Sequence, residues 1–122
     1  MNHVITLEAA IQMTSRFRNH RETILAESQR GKILLPLSET FERAAFEQLL
    51  GQTGCTSLRI YYGMDESDKV HAIVVGVDAI GNDMLPSSSS DLQPGDADEN
   101  VIIELGVRCP DICPEDSPLN NP

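Results

Sequence analysis

Cys109-Pro110-Asp111-Ile112-Cys113-Pro114 places two sulfurs four residues apart in a proline-rich setting. A pair this close can chelate a soft metal or cycle between dithiol and disulfide. A tetrahedral zinc site needs two further ligands, which leaves Cys55, His3, His20 and His71 as donors, none of them in a paired spacing. The C-x3-C spacing also differs from the C-x-x-C of thioredoxin-like sites, where a helix N-terminus lowers the thiol pKa. The chain has three Cys, an odd number, so they cannot all pair within it, which agrees with a reducing compartment. Small buried hydrophobe or incidental thiol is the first reading of these sulfurs; metal binding and redox cycling are the alternatives.

His71 lies in an apolar run, and its imidazole titrates where proton transfer near neutral pH is useful. A lone His in a strand more often packs its ring and hydrogen-bonds a neighbour, here Tyr61 or Arg59 if a hairpin brings them opposite. Cys109, Cys113, Cys55 and His71 are therefore the candidates for a thiol or metal site, and no residue is assigned a catalytic role. No G-x-S-x-G nucleophile elbow occurs, and the run Ser87 to Ser90 reads as linker. The carboxylates Asp65, Glu66 and Asp68, and again Asp96, Asp98 and Glu99, lack the Gly and Glu positions of a calcium-binding EF loop, so they read as solvated charge. Gly31-Lys32 lacks the upstream glycine of a phosphate-binding loop. No cofactor is implied.

These residues must be positioned by a small core. The 122 residues fit one domain, 40% are hydrophobic, and with no Trp, three Phe and two Tyr the burial falls mainly to Leu, Ile, Val and Ala. No apolar stretch approaches the roughly 20 residues that cross a bilayer, and the N-terminus lacks the basic and apolar regions of a signal peptide. The expected location is cytoplasmic. The net charge of −10 is uneven: residues 1 to 35 carry five Lys/Arg against three Asp/Glu, and residues 36 to 122 carry four against sixteen. Such an acidic surface repels phosphate backbones, so nucleic acid is not an expected partner, whereas a basic protein is; an edge strand or a bare sheet face would favour a second copy. Arg16, Arg18 and Arg21, with Phe17 and His20, form a basic patch that reads as a solvated or self-paired face, with protein binding and nucleic acid as weaker alternatives.

The hydrophobic pattern predicts the elements. Thr6 as N-cap and Glu8 in the first turn start a helix that, from Leu7, Ala10, Ile11, Phe17, Ile24 and Leu25, is expected to run over 6–31 with a kink near Asn19. Pro36 makes residues 33 to 37 a buried connector. Ser38 caps a second expected helix over 38–51, with Phe41, Ala45, Phe46, Leu49 and Leu50 on its apolar stripe, Glu39 and Glu42 on other faces, and Gly51 and Gly54 ending it. Leu58 to Tyr62 and Val70 to Val77 read as an antiparallel pair joined by the polar loop 63–69. Asp78 and Gly81 then predict a tight hairpin into a short strand, Asn82 to Leu85. Residues 86–100, rich in Ser, Asp, Pro and Gly, read as a mobile loop; 101–107 reads as a strand and 108–122 as an extended Cys-Pro tail.

The segments Arg59-Ile60-Tyr61-Tyr62-Gly63-Met64-Asp65, Val70 to Asp78 with Gly81-Asn82-Asp83-Met84, and the tail Arg108-Cys109-Pro110, Cys113-Pro114, Ser117-Pro118-Leu119-Asn120 resemble a family of small uncharacterised bacterial proteins. The resemblance spans 38–85 and the tail. It carries no activity and no catalytic residue across, and implies that the tail is a regular part of the protein. The expected fold is α+β: two N-terminal helices on one face of a three- to four-stranded, mainly antiparallel meander. The expected function is a non-enzymatic protein-interaction or accessory module, with a thiol- or metal-dependent activity of the Cys tail as the alternative and a cleft between helices and sheet as a third option.

Overall fold

The computed structural model describes residues 2–87 and 100–120. The fold is α+β with antiparallel sheets, as the sequence predicts. Among the described residues, no helix is long and apolar enough to cross a membrane.

The first helix, α1 (Leu7–His20), starts where its cap residues place it: Thr6 Oγ1 accepts from Ala9 N–H at 3.0 Å, and Glu8 sits in the first turn. It stops eleven residues short of the predicted end at Gly31. Beyond His20 the local hydrogen bonds favour turns: Thr23 Oγ1 donates to His20 C=O at 2.8 Å, and Arg30 Nε donates to Glu22 C=O at 3.0 Å. His20 C=O still accepts from Ile24 N–H at 3.2 Å, but Arg30 takes the Glu22 and Leu25 carbonyls that a continuing helix would have used. A 3₁₀ turn, Glu27–Gln29, follows. No residue of α1 is fully buried, so this helix contributes no side chain to the core.

The second predicted helix is also shortened, and its first residues change type. Ser38–Thr40 forms a strand, β1, and the helix α2 spans Arg43–Leu50 with Glu42 at its N-cap, making no side-chain cap bond. Ser38 is therefore not a cap. Gly51 ends α2, and Gly54 at φ +90° makes the turn into the sheet.

The remaining strands are β2 (Cys55–Met64), β3 (Val70–Asp78), β4 (Asp83–Met84), β5 (Ile102–Ile103) and β6 (Val107–Cys109). The predicted β2–β3 pair is antiparallel. Its loop is shorter than expected, Asp65 to Lys69, because β2 continues to Met64. The β3–β4 hairpin forms on the predicted residues: Asp78 Oδ1 accepts from Ile80 and Asn82 N–H at 3.1 and 2.9 Å, and Gly81 has φ +94°. The stretch expected as one strand over 101–107 is split: Ile102–Ile103 pairs with β3, and Val107–Cys109 pairs with β1 in a separate ribbon. As far as Asn120 the tail is tied down rather than merely extended, with Ile112 N–H on Arg108 C=O and Arg18 on Leu119 C=O. The loop expected over 86–100 falls mostly on residues 88–99, which lie outside the described ones.

Strand β3 is the centre. In an antiparallel strand alternate residues turn both backbone groups to the same side. Along the edge of β3 away from β2, Gly76 and Val74 are met by β4 and β5 respectively. The core is small: Leu34, Leu49, Val74, Val75, Val77 and Cys109 are the buried apolar side chains among the described residues. On one sheet face α2 presses Leu49 onto the sheet, close enough that a Cβ on Gly76 would lie 2.7 Å from Gln52 Nε2. On the other face Arg59 of β2 reaches over β3 to Asp83 of β4, where Tyr61 also donates. Arg59 pairs with Val75 and Asp83 with Val77, so this polar bridge roofs the two valines and accounts for their burial.

Candidate binding groove

Where strands stop covering the outer edge of β3, one backbone carbonyl and two side chains take over. Val70 N–H donates to Leu34 C=O at 2.8 Å, Arg108 donates to Val70 C=O, and Ala72 N–H donates to Glu39 Oε1 at 3.0 Å. Glu39 and Arg108 are cross-strand partners in the β1–β6 ribbon, with Arg108 Nη1 3.8 Å from Glu39 Oε1. Together they pin the two-stranded ribbon to the main sheet by imitating a missing strand. Both side chains are removed from water, Glu39 with 7% and Arg108 with 14% exposed. The pairing of these charges offsets part of the cost of burying them.

The pinning holds open a groove of about 560 Å³ between α1, α2 and the sheet. Phe17 of α1, Phe41, Phe46 of α2, Tyr62 of β2 and Val74 of β3 line it, with Glu39 at its wall. All three Phe of the chain thus face one hollow. The alternation of the strands explains the sheet side: Ile60 pairs with Val74 and Tyr62 with Ala72, so these residues share a face. Phe41 and Phe46 lie 5.6 Å apart at a tilted angle, within the range of favourable aromatic pairing. The size falls within that of small-ligand sites, which are mostly apolar with few polar groups. Glu39 Oε2 is buried and has no hydrogen-bond partner among the described residues.

The candidates read from the sequence lie elsewhere and apart. Cys109 is fully buried and disulfide-bonded to Cys113, which lies at the surface. Both sulfurs are thereby withdrawn from thiolate chemistry, and the pairing weakens the argument from an odd Cys count to a reducing compartment. Cys55 is free and donates to Ser57 C=O. His71 stands opposite Gly63, two places from Tyr61 and four from Arg59, the neighbours expected of it, which instead meet Ile73 and Val75. Its Nε2 is 2.7 Å from Asp65 Oδ2, and its Nδ1 is 3.5 Å from Glu104 Oε1 without the alignment of a hydrogen bond. The His71 contact, with backbone N–H of Lys69 and Ser67, holds the Asp65 carboxyl down to about 2. Cys55 and His71 occupy opposite ends of the β2–β3 pair, about 25 Å apart at the rise of a strand. Among the described residues no three His, Cys, Asp or Glu side chains gather as a metal site would require.

Sequence reasoning missed Glu39, Arg108 and Phe41 as a group. A helical period over 38–51 sends Glu39 outward, and nothing local in the sequence marks Arg108 as its partner. Two members of the basic patch are tied to their own chain: Arg18 donates to Leu119 C=O and Arg21 to Leu35 C=O, both at 2.7 Å, and Arg21 also lies 4.0 Å from the Glu22 carboxylate. Comparison of the chain with protein-family models, with curated proteins and with solved structures finds no match.

Proposed function

We propose that this chain is a non-enzymatic accessory module that works by binding, and that the groove under α1 and α2 is its binding site. The observation that carries this reading is the expenditure of every Phe, with Tyr62, on one open hollow in a chain whose core is otherwise aliphatic. Aromatic side chains bury the largest apolar areas, and a core this small gains most by enclosing them. Leaving them around a hollow gives up that gain unless a ligand completes the burial. Partial exposure of Phe17, at 37%, and of Tyr62, at 80%, marks the rim.

Titration with the neutral fluorophore N-phenylnaphthylamine tests the reading. Saturable binding with one site per chain is expected, abolished by Ala72→Phe, which places a ring in the hollow from the central strand. Absence of saturable binding, or binding unchanged in Ala72→Phe, overturns it.

A further inference from the structure

We infer that the ligand of this groove carries an ammonium or similar hydrogen-bond-donating cation that docks on Glu39 Oε2, with its apolar body among Phe17, Phe41 and Phe46. The inference rests on the binding reading above and specifies its ligand class. Glu39 is more than nine-tenths buried, yet only one of its oxygens is used: Oε1 accepts from Ala72 N–H at 3.0 Å. Arg108 does not complete the carboxylate, because its Nη1 stands 3.8 Å from Oε1 and its guanidinium donates to the carbonyls of Val70 and Leu34. Oε2 is left without a partner among the described residues, in a wall that is otherwise largely apolar. A buried carboxylate oxygen left unmatched costs more than a neutral one, and native structures keep few of them.

The surroundings of Oε2 select the kind of donor. A Cβ built on Gly106 would lie 2.8 Å from Oε2 and 2.7 Å from the Phe41 ring, so the carboxylate oxygen and the ring edge are neighbours around this glycine. A cation that displaces the half-buried Phe41 ring from beside Oε2 meets an unmatched negative charge in an apolar setting, which suits an ammonium. The net charge of −10 draws cations toward the site and repels carboxylates.

Three probes of one shape decide the matter: phenylbutylamine, phenylbutanol and phenylbutyrate, titrated calorimetrically into the full chain at physiological salt. The expected order is amine, then alcohol, then acid, with the amine about tenfold tighter than the alcohol, as for one charge-assisted hydrogen bond. Glu39→Gln is expected to reduce the amine's advantage over the alcohol to within about twofold, a ratio from which any general effect of the substitution on the groove cancels. The Glu39 carboxyl carbon in the unaltered chain provides a second readout by NMR, expected to shift with the amine and not with the alcohol. Equal binding of amine and alcohol, or an amine preference that survives Glu39→Gln without a Glu39 shift, overturns the cation site and leaves the groove standing. Failure of both amine and alcohol to bind removes the groove reading and this inference with it.

Discussion

Replacing Glu39 with Ala separates the ribbon from the sheet at one atom, and the structure sets the size of the effect. The carboxylate is 7% exposed, its Oε1 holds Ala72 N–H at 3.0 Å, and Arg108 beside it is 14% exposed. Loss of a hydrogen bond to a charged acceptor costs about 1.5–3 kcal/mol, and removing one member of a buried charge pair costs about 3–5 kcal/mol. Arg108 keeps two carbonyl acceptors, which moderates the second figure. We expect Glu39→Ala to cost about 3 kcal/mol, and Glu39→Gln, which keeps an acceptor for Ala72 N–H, about 1 kcal/mol. Urea unfolding followed by circular dichroism gives these differences from shifts of the midpoint at constant slope. With a slope near 1.5 kcal/mol/M, the Ala variant should unfold about 2 M earlier. A double-mutant cycle with Arg108→Met should show coupling of about 1 kcal/mol or more. If Glu39→Ala lies within about 0.5 kcal/mol of the parent, the size of an ordinary surface change, the carboxylate does not pin the ribbon and the reasoning fails.

Asp65 should titrate near 2 in the folded chain against an ordinary value of 3.8, so it contributes stability above pH 4 that is lost as pH falls from about 4 toward 2. His71→Gln should raise the Asp65 midpoint, read from its carboxyl NMR shift; an unmoved midpoint would show that His71 is not the main cause. Tyr61 should ionise above its ordinary 10.0 because its phenol donates to Asp83, and Asp83→Asn should bring phenolate absorbance back toward that value. An unchanged alkaline midpoint would contradict the bridge over Val75 and Val77. The native chain should offer one reactive thiol, Cys55, and three after reduction of Cys109–Cys113. Opening this short loop should lower stability by about 2 kcal/mol, measured by urea unfolding with and without reductant; three native thiols would contradict the pairing.

What the sequence disclosed follows the range of the interactions involved. The start of α1 rests on Thr6 and Glu8, within one turn of the element they cap, and the β3–β4 turn rests on Asp78 and Gly81. The long β2–β3 pair follows from local β-branched and aromatic content. The rest was hidden because its causes lie far off in the chain. Ser38–Thr40 is a strand only because Val107–Cys109 comes to meet it, and an apolar period that runs on from Phe41 gives no sign of that partner. His71 missed its expected neighbours because β2 extends to Met64, which moves the register by two residues. The helical period continues past His20, whereas the Glu22 and Leu25 carbonyls are taken by Arg30. The groove was legible only as a cleft between helices and sheet; that it gathers Phe17, Phe41 and Phe46 beside Glu39 depends on packing among four separate segments.

Mapping a neutral ligand onto the chain tests the groove most directly. On addition of phenylbutanol, the NMR signals of Phe17, Phe46, Tyr62 and Val74 should move together along one saturable curve while Tyr61 and Val77, on the opposite sheet face, stay still. Shifts scattered over both faces, or none at saturating ligand, would contradict a binding site beneath the two helices.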